Sequence, residues 1–286
     1  MAQIIDGKAE SELVLNEVRL EVSEFAKRGI TLGLAMVMVG ENPASQVYVG
    51  NKTKKANEVG IYSQTFTFPE SVTEEELIKF IHNLNSDSKF NGILVQLPLP
   101  AKFDANKVLG AISERKDVDG ITPKNLGMLA NNLECVFPCT PYGILHLLKK
   151  YQVQIAGAHV VVLGRSSIVG KPISLMLLNE NATVTMCHSH TKNLSQICKS
   201  ADILIAAIGK KEFVTAEFIK EGAVVIDVGI NRISLPEGKS KLYGDVDFGT
   251  AEKLANLITP VPGGIGPMTV AMLFKNVLTL AKRQNG

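Results

Sequence analysis

No tryptophan occurs in this chain, and its 286 residues carry only four cysteines, Cys135, Cys139, Cys187 and Cys198. The missing tryptophan decides nothing. The cysteines exclude more. One C-x3-C pair is too little for a zinc site, which needs closer pairing or further ligands nearby. The expectation is therefore no metal, and reduced structural thiols in a cytoplasmic protein. Charge of one sign is not in surplus. A net formal charge of +2 argues against a nucleic-acid partner. No run of like charge suggests a tail or a polybasic anchor. No window approaches about 18 uncharged apolar residues, so no membrane partner is expected. The opening "MAQIIDGKAESELV" has no cationic region and meets acidic residues at once, unlike a signal peptide.

What is present is an ordinary soluble composition, 45% hydrophobic and 20% charged. The length suits one large domain or two of usual size. Strand-like apolar runs alternate with amphipathic helical stretches. In the first half these are strands at 31–40, 62–68 and 91–100, with helices at 45–59 and 73–86. Thr73 serves as an N-cap before early acids. From residue 140 a second series begins. A helix at 140–152 has Thr140 as N-cap and Pro141 at its first turn. Strands at 158–164, 182–188, 202–209 and 223–230 follow, with helices at 171–181, 193–201 and 216–222 between them. A long amphipathic helix over 269–284 closes the chain. The pattern predicts an α/β protein of two domains flanking a cleft, the second Rossmann-like. The boundary falls at 139: residues 1–139 form the first domain, 140–268 the second, and the helix at 269–286 packs back on the first.

"GRSSIVGKP", Gly164 to Pro172, follows the strand "VVVL" and opens a helix. It is not G-x-G-x-x-G, because Ser166 holds the second glycine position. Its strand–turn–helix context still makes it a candidate pyrophosphate loop, with backbone N–H groups facing the anion. A plain β–α turn with a glycine at each end is the bland alternative. In NAD-binding halves an acidic residue ends the second strand and binds the ribose 2′-OH. Here that strand ends "CHSHT", with His188, Ser189 and His190 and no carboxylate. Arg165 in the first loop suits a phosphate fork. The cofactor expected is NADP. The alternative is a solvated Arg165 beside incidental histidines.

The stretch "SQVYVGNKTKKANEVGI", read as a helix at about 100° per residue, gives its lysines different faces. Val49, Thr53 and Ala56 share a core-facing stripe. Tyr48, Lys52 and Lys55 lie beside it, with Tyr48 and Lys52 close enough to touch. Lys54 points away and is solvated, and Gly60 ends the helix. Taken alone, the stretch favours a basic flank. Gln96, inside "VQLPLP", is an amide in an apolar strand and must find partners or face a ligand. Asp117 and Asp119 in "KDVDGITP" are either turn formers or ligand groups. "TPVPGGIGPMT" suits close approach of backbone to a ligand, or a rigid linker.

Taken in order and at these spacings, "YVGNK", "VQLPLP", "KDVDG", "GRSSIVGKP" and "PVPGGIGPMT" resemble the bifunctional methylenetetrahydrofolate dehydrogenase/methenyltetrahydrofolate cyclohydrolases. The likeness runs from "IIDGK" to the final helix. It implies NADP-dependent oxidation of 5,10-methylenetetrahydrofolate, then hydrolysis to 10-formyltetrahydrofolate. The partners it implies are tetrahydrofolate one-carbon derivatives and a second copy, as a homodimer joined through the cofactor domains. By this resemblance Lys52 is the catalytic lysine, Gln96 its contact, Tyr48 the ring that packs on folate, and Asp119 the holder of the pterin. Val95, Leu97, Pro262, Gly263, Gly264 and Gly266 line the folate site. Gly164, Arg165, Ser166, Ser189 and Ile230 bind the dinucleotide. His190 stands where some relatives carry lysine, so NADP preference leans on Arg165. A monofunctional NAD-dependent dehydrogenase and a non-catalytic nucleotide module are the rivals. Lys52, Gln96 and the missing acid after the second strand argue against the first. The second has no need of Lys52, Gln96 and Asp119 together.

Overall fold

The structure is a computed structural model and describes residues 1–234 and 240–285. Along the chain run β1 (Gln3–Ile4), α1 (Gly7–Lys27), β2 (Gly33–Val39), α2 (Pro43–Glu58), β3 (Tyr62–Phe68), α3 (Glu74–Ser86), β4 (Gly92–Val95), α4 (Ala105–Gly110), α5 (Pro123–Ala130) and α6 (Cys139–Lys150). There follow β5 (His159–Leu163), α7 (Gly170–Asn179), β6 (Thr183–Cys187), α8 (Leu194–Lys199), β7 (Ile203–Ala206), β8 (Val224–Asp227), β9 (Asn231–Ser234), β10 (Ser240–Tyr243), α9 (Phe248–Ala251), β11 (Leu257–Ile258) and α10 (Ile265–Asn285).

Two compact units emerge. One comprises Glu12–Cys139 and Val270–Gly286, the other Met1–Ser11 and Thr140–Thr269. The first ten or so residues therefore belong with the second half, whereas the sequence reading grouped them with the first. The physical reason is β1, which pairs in parallel with β11. The switch falls within α1, and its counterpart falls within α10.

The first unit holds a three-stranded parallel sheet in the order β3-β2-β4. All seven residues of β2 are buried, as the uninterrupted apolar run "GLAMVMV" requires of a central strand covered on both faces. β3 alternates exposed and partly buried positions, as an edge strand does. α3 begins with a full capping box, Thr73 with Glu76, and buries Leu77, Ile81 and Leu84 against the sheet. Asp117 forms an isolated parallel bridge with Ile93, which ties the 117–120 turn to the edge of β4.

The second unit holds a six-stranded parallel sheet, β1-β11-β8-β7-β5-β6, and a separate antiparallel pair, β9 and β10. β5, β7 and β8 are buried almost throughout, and β6 is the outer edge. β6 lies on one side of β5 and β7 on the other. The strand order thus switches direction at β5, the doubly wound arrangement. The sequence reading placed the main sheet strands and several helices but assigned nothing over α1, α4, α5 or α9, and not every boundary it gave holds. α6 starts at Cys139, so Thr140 lies inside it, its hydroxyl hydrogen-bonded to that of Thr269 at 3.0 Å. The helix expected over 216–222 is a single 3-10 turn, Ala216–Phe218, because Ile219 is already extended.

Candidate active site

In the three-stranded unit the polar groups gather where β4 ends. Gln96 follows Val95 directly, and its backbone N–H still donates to Val37 O, which continues the pairing with β2. Its side chain is thereby fixed at the carboxyl end of the sheet. The Gln96 amide donates to Leu97 O, so its Oε1 is left to accept from Lys52 Nζ at 3.1 Å. Lys52 itself is half-buried on α2. Val49 and Ala56 on the neighbouring stripe are buried, and Lys54 is exposed. Tyr48, one turn before Lys52, is 45% exposed, a large ring held out of the core. Lys55 has another task. It bonds Glu12 on α1 and Glu58 on α2, both at 3.0 Å. These two hydrogen-bonded carboxylates raise its pKa.

The two aspartates of "KDVDG" separate cleanly. Asp117 is fully buried and accepts from Gly120 N at 2.9 Å, Thr122 N at 2.9 Å and Asn125 Nδ2 at 2.7 Å. It is the turn former. Asp119 is only partly covered, and the nearby Cys139 thiol donates to Val118 O at 3.3 Å. Burial pushes its carboxyl above the usual range, the Lys52 charge pulls it back, and Asp117 adds to the rise. Lys52 and Asp119 therefore share one electrostatic environment. Sequence reasoning missed what stands behind Asp119. Asn276 of α10 is buried and donates to Val118 O and Phe137 O, both at 2.9 Å. An amide among the apolar residues of an amphipathic helix was the available signal. Cys139 was read only as a structural thiol. Its own pKa is driven well up by burial and by Asp119.

In the six-stranded unit the loop after β5 runs at the switch point. Gly164 takes φ +128°, and a Cβ there would overlap Ala207 O, the first carbonyl beyond β7. Only glycine allows the two loops to meet this closely. Gly170 packs as tightly on Gly164. Arg165 and Ser166 are exposed above this contact. The Ser166 hydroxyl accepts from Val169 N at 3.1 Å and Gly170 N at 3.2 Å. These two amides at the start of α7 are thus engaged by the loop itself, which the sequence reading did not foresee. Ser189 and His190 are exposed beyond β6, where the turn is closed by His188 N donating to Thr191 Oγ1 at 2.9 Å. Ile230 beyond β8 is 48% exposed. The residues fit a dinucleotide: a glycine-lined turn at the switch point, an exposed guanidinium and hydroxyls, and no acid at the end of β6. Near β11, the segment Pro262–Gly266 rests on the chain's start. Lys8 N donates to Gly263 O at 2.8 Å, and Gly7 leaves no room for a Cβ against Gly264.

A parallel sheet in each of two units, a lysine–glutamine pair beside a shielded carboxylate, and a glycine-lined turn at the switch point define a two-domain oxidoreductase. Residues 5–119 match the tetrahydrofolate dehydrogenase/cyclohydrolase catalytic domain, and residues 138–285 match its NAD(P)-binding domain. The "Bifunctional protein FolD" of Moorella thermoacetica is 54% identical over 282 residues, covering 99% of each chain. The crystal structure of bifunctional FolD from Campylobacter jejuni superposes with a TM-score of 0.96 at 44% identity, covering 99% of this chain and 100% of that one. The Trypanosoma brucei FolD, solved with NADP cofactor and inhibitor, gives a TM-score of 0.95 at 40% identity, covering 99% and 98%. The chain belongs to the tetrahydrofolate dehydrogenase/cyclohydrolase family.

One electrostatic consequence can be checked at once. Lys52→Met removes the charge that lowers the Asp119 pKa, so the Asp119 carboxyl should titrate at higher pH than in the wild type. Lys54→Met, which alters an exposed group, should leave it unmoved. Carbon-13 NMR of labelled aspartates follows the titration. Equal behaviour of the two variants would break the Lys52–Asp119 link.

Proposed function

We propose that this chain oxidises 5,10-methylenetetrahydrofolate to the 5,10-methenyl form with NADP and hydrolyses that product to 10-formyltetrahydrofolate. The observation that carries the reading is the 3.1 Å hydrogen bond from Lys52 to Gln96, beside the shielded Asp119. Family membership over the whole chain supplies the reaction class.

Asp119 holds the pterin, and the exposed ring of Tyr48 packs on the folate. Val95, Leu97, Pro262, Gly263, Gly264 and Gly266 are its further contacts. Gly164, Arg165, Ser166, Ser189 and Ile230 hold NADP, with Arg165 at the 2′-phosphate. Bound NADP supplies the hydride acceptor for the one-carbon bridge. That step depends on orientation, which rigid loops at the sheet ends provide. The second step needs proton movement. Water attacks the methenyl carbon. Lys52 in its unprotonated form takes a proton from that water and returns it to N5 as the carbon–N5 bond breaks, and the remaining hydroxyl proton passes to solvent as the formyl C=O forms. Gln96 aims the Lys52 nitrogen.

The protein acts in the cytoplasm, in keeping with four free, buried cysteines. Among the described residues no helix is long and apolar enough to cross a membrane. Two copies associate through their six-stranded units. β6 offers an outer strand with Met186 36% exposed.

Three measurements test this reading. Lys52→Met should lower methenyl hydrolysis by on the order of 10²–10⁴-fold while the affinity for NADP stays unchanged. Near-normal hydrolysis by that variant would sink the role of Lys52. Arg165→Ala should raise the KM for NADP far more than that for NAD, and an equal rise in both would remove the 2′-phosphate contact. Light scattering should give twice the chain mass of 30.9 kDa. A monomer would refute the dimer.

A further inference from the structure

Asp245 is fully buried and takes part in none of the roles above. Four hydrogen bonds converge on it. Its Oδ2 accepts from Ile208 N at 2.6 Å and Gly209 N at 2.9 Å. Its Oδ1 accepts from Lys210 N and from Asn231 Nδ2, both at 2.9 Å. Three successive backbone N–H groups turned toward one carboxylate form an anion nest filled by the protein's own side chain. Asp245 thus gives all three amides one shared acceptor on the inner side of the loop.

The place of this nest gives it meaning. Ile208–Lys210 lies just beyond β7, after Ala207, whose carbonyl abuts Gly164 of the phosphate loop. Asn231 directly follows Ile230. One carboxylate thus fixes the loop beyond β7 and the residue next to Ile230 in a single frame. Asp245 is itself held. Asp227, at the end of β8, accepts from Asp245 N at 2.9 Å, Val246 N at 3.0 Å and Gly229 N at 2.9 Å. Gly229 and Gly244 pack so closely on these carboxylates that neither could carry a Cβ.

We infer that Asp245 is a positioning residue for the dinucleotide: it sets the backbone of 208–210 and the position of Ile230 against the phosphate loop without touching the cofactor. The inference rests on the reading of Gly164–Ser166 and Ile230 as NADP contacts. A residue that only stabilised the fold would lower both activities together. A positioning residue acts on the dinucleotide alone. Methenyl hydrolysis uses no dinucleotide, and its proposed groups Lys52 and Gln96 belong to the other unit, so it serves as an internal control.

The test uses full-length Asp245→Asn, Asn231→Ala and Arg165→Ala. Asparagine keeps the volume of Asp245 but turns an NH2 toward two N–H donors whichever way it is placed. The KM for NADP should rise about tenfold in Asp245→Asn, the equivalent of one lost buried hydrogen bond. Methenyl hydrolysis should stay within about twofold. Asn231→Ala leaves the three backbone donors of the nest in place and removes the Asn231 bonds to Asp245, Tyr243 O and Gly244 O on the Ile230 side, so a rise of a few-fold is expected. It also decides the matter if Asp245→Asn does not fold. Arg165→Ala should raise the NADP KM independently. If it does, and neither Asp245→Asn nor Asn231→Ala changes the KM, the positioning role is overturned. Parallel loss of both activities in the folded variants overturns it as well. If Arg165→Ala has no effect, the cofactor reading falls and this inference with it.

Discussion

A buried carboxylate that accepts backbone N–H groups is the constraint on which both candidate sites depend. Parallel strands deliver their loops to one end of a sheet, and those loops carry amides that no neighbouring strand can satisfy. Leaving one unpaired in the interior costs about 1–3 kcal/mol. Asp117 answers this in the three-stranded unit, with two backbone amides and the Asn125 side chain. In the six-stranded unit the same task falls to Asp227 and Asp245, which accept seven hydrogen bonds between them beyond β7 and β8. Packing two carboxylates so deeply has an electrostatic cost. Burial pushes Asp227 up to about 6 despite its three amide donors, and the Asp245 charge pushes the same way. In each unit a proposed ligand-facing residue sits one or two positions from the structural one. Asp119 follows Asp117, and Ile230 precedes the Asn231 that Asp245 holds.

The lysines of α2 show how a helix gives like residues unlike tasks. Successive side chains differ by about 100°. Lys54 reaches solvent. Lys55 turns toward α1 and braces it through Glu12. Lys52 lies over the end of β4, where Gln96 can accept from it. Exposed ion pairs such as that of Lys55 contribute about 0–1 kcal/mol, so its role is orientation of α1 and α2 more than stability. That orientation matters, because a small rotation of α2 would carry Lys52 away from Gln96.

Much of this was legible in the sequence. Apolar runs such as "GLAMVMV" and "HVVVL" marked the buried parallel strands, since few other structures bury every residue of a short run. The proline- and glycine-bearing loops marked the sheet ends. The separation of Lys52 from Lys54 followed from helical geometry alone. What could not be read was long-range. Nothing local says that β1 pairs with β11, a contact between residues about 250 positions apart. Nor does "GDVDF" reveal that Asp245, rather than Asp247, is the buried acceptor, because both suit a turn. Asn276 looked like one polar residue on an amphipathic helix, yet it holds the carbonyls of Val118 and Phe137. Side chains whose partners are distant backbone atoms leave no periodic trace.

The link between Lys52 and Asp119 bears on how the two proposed steps share one site. Burial alone would favour a neutral Asp119, and a neutral carboxyl is a weaker partner for the donor groups of a pterin. The Lys52 cation counters that rise. In the proposed substrate binding the Lys52 cation would therefore serve Asp119. For hydrolysis it is the unprotonated form, able to take a proton from water. A lysine held by a neutral amide suits both better than one locked to a carboxylate. Gln96 fixes the nitrogen in place through its amide oxygen. Lys55, by contrast, is spent on two carboxylates, which raise its pKa and hold it at the α1–α2 contact.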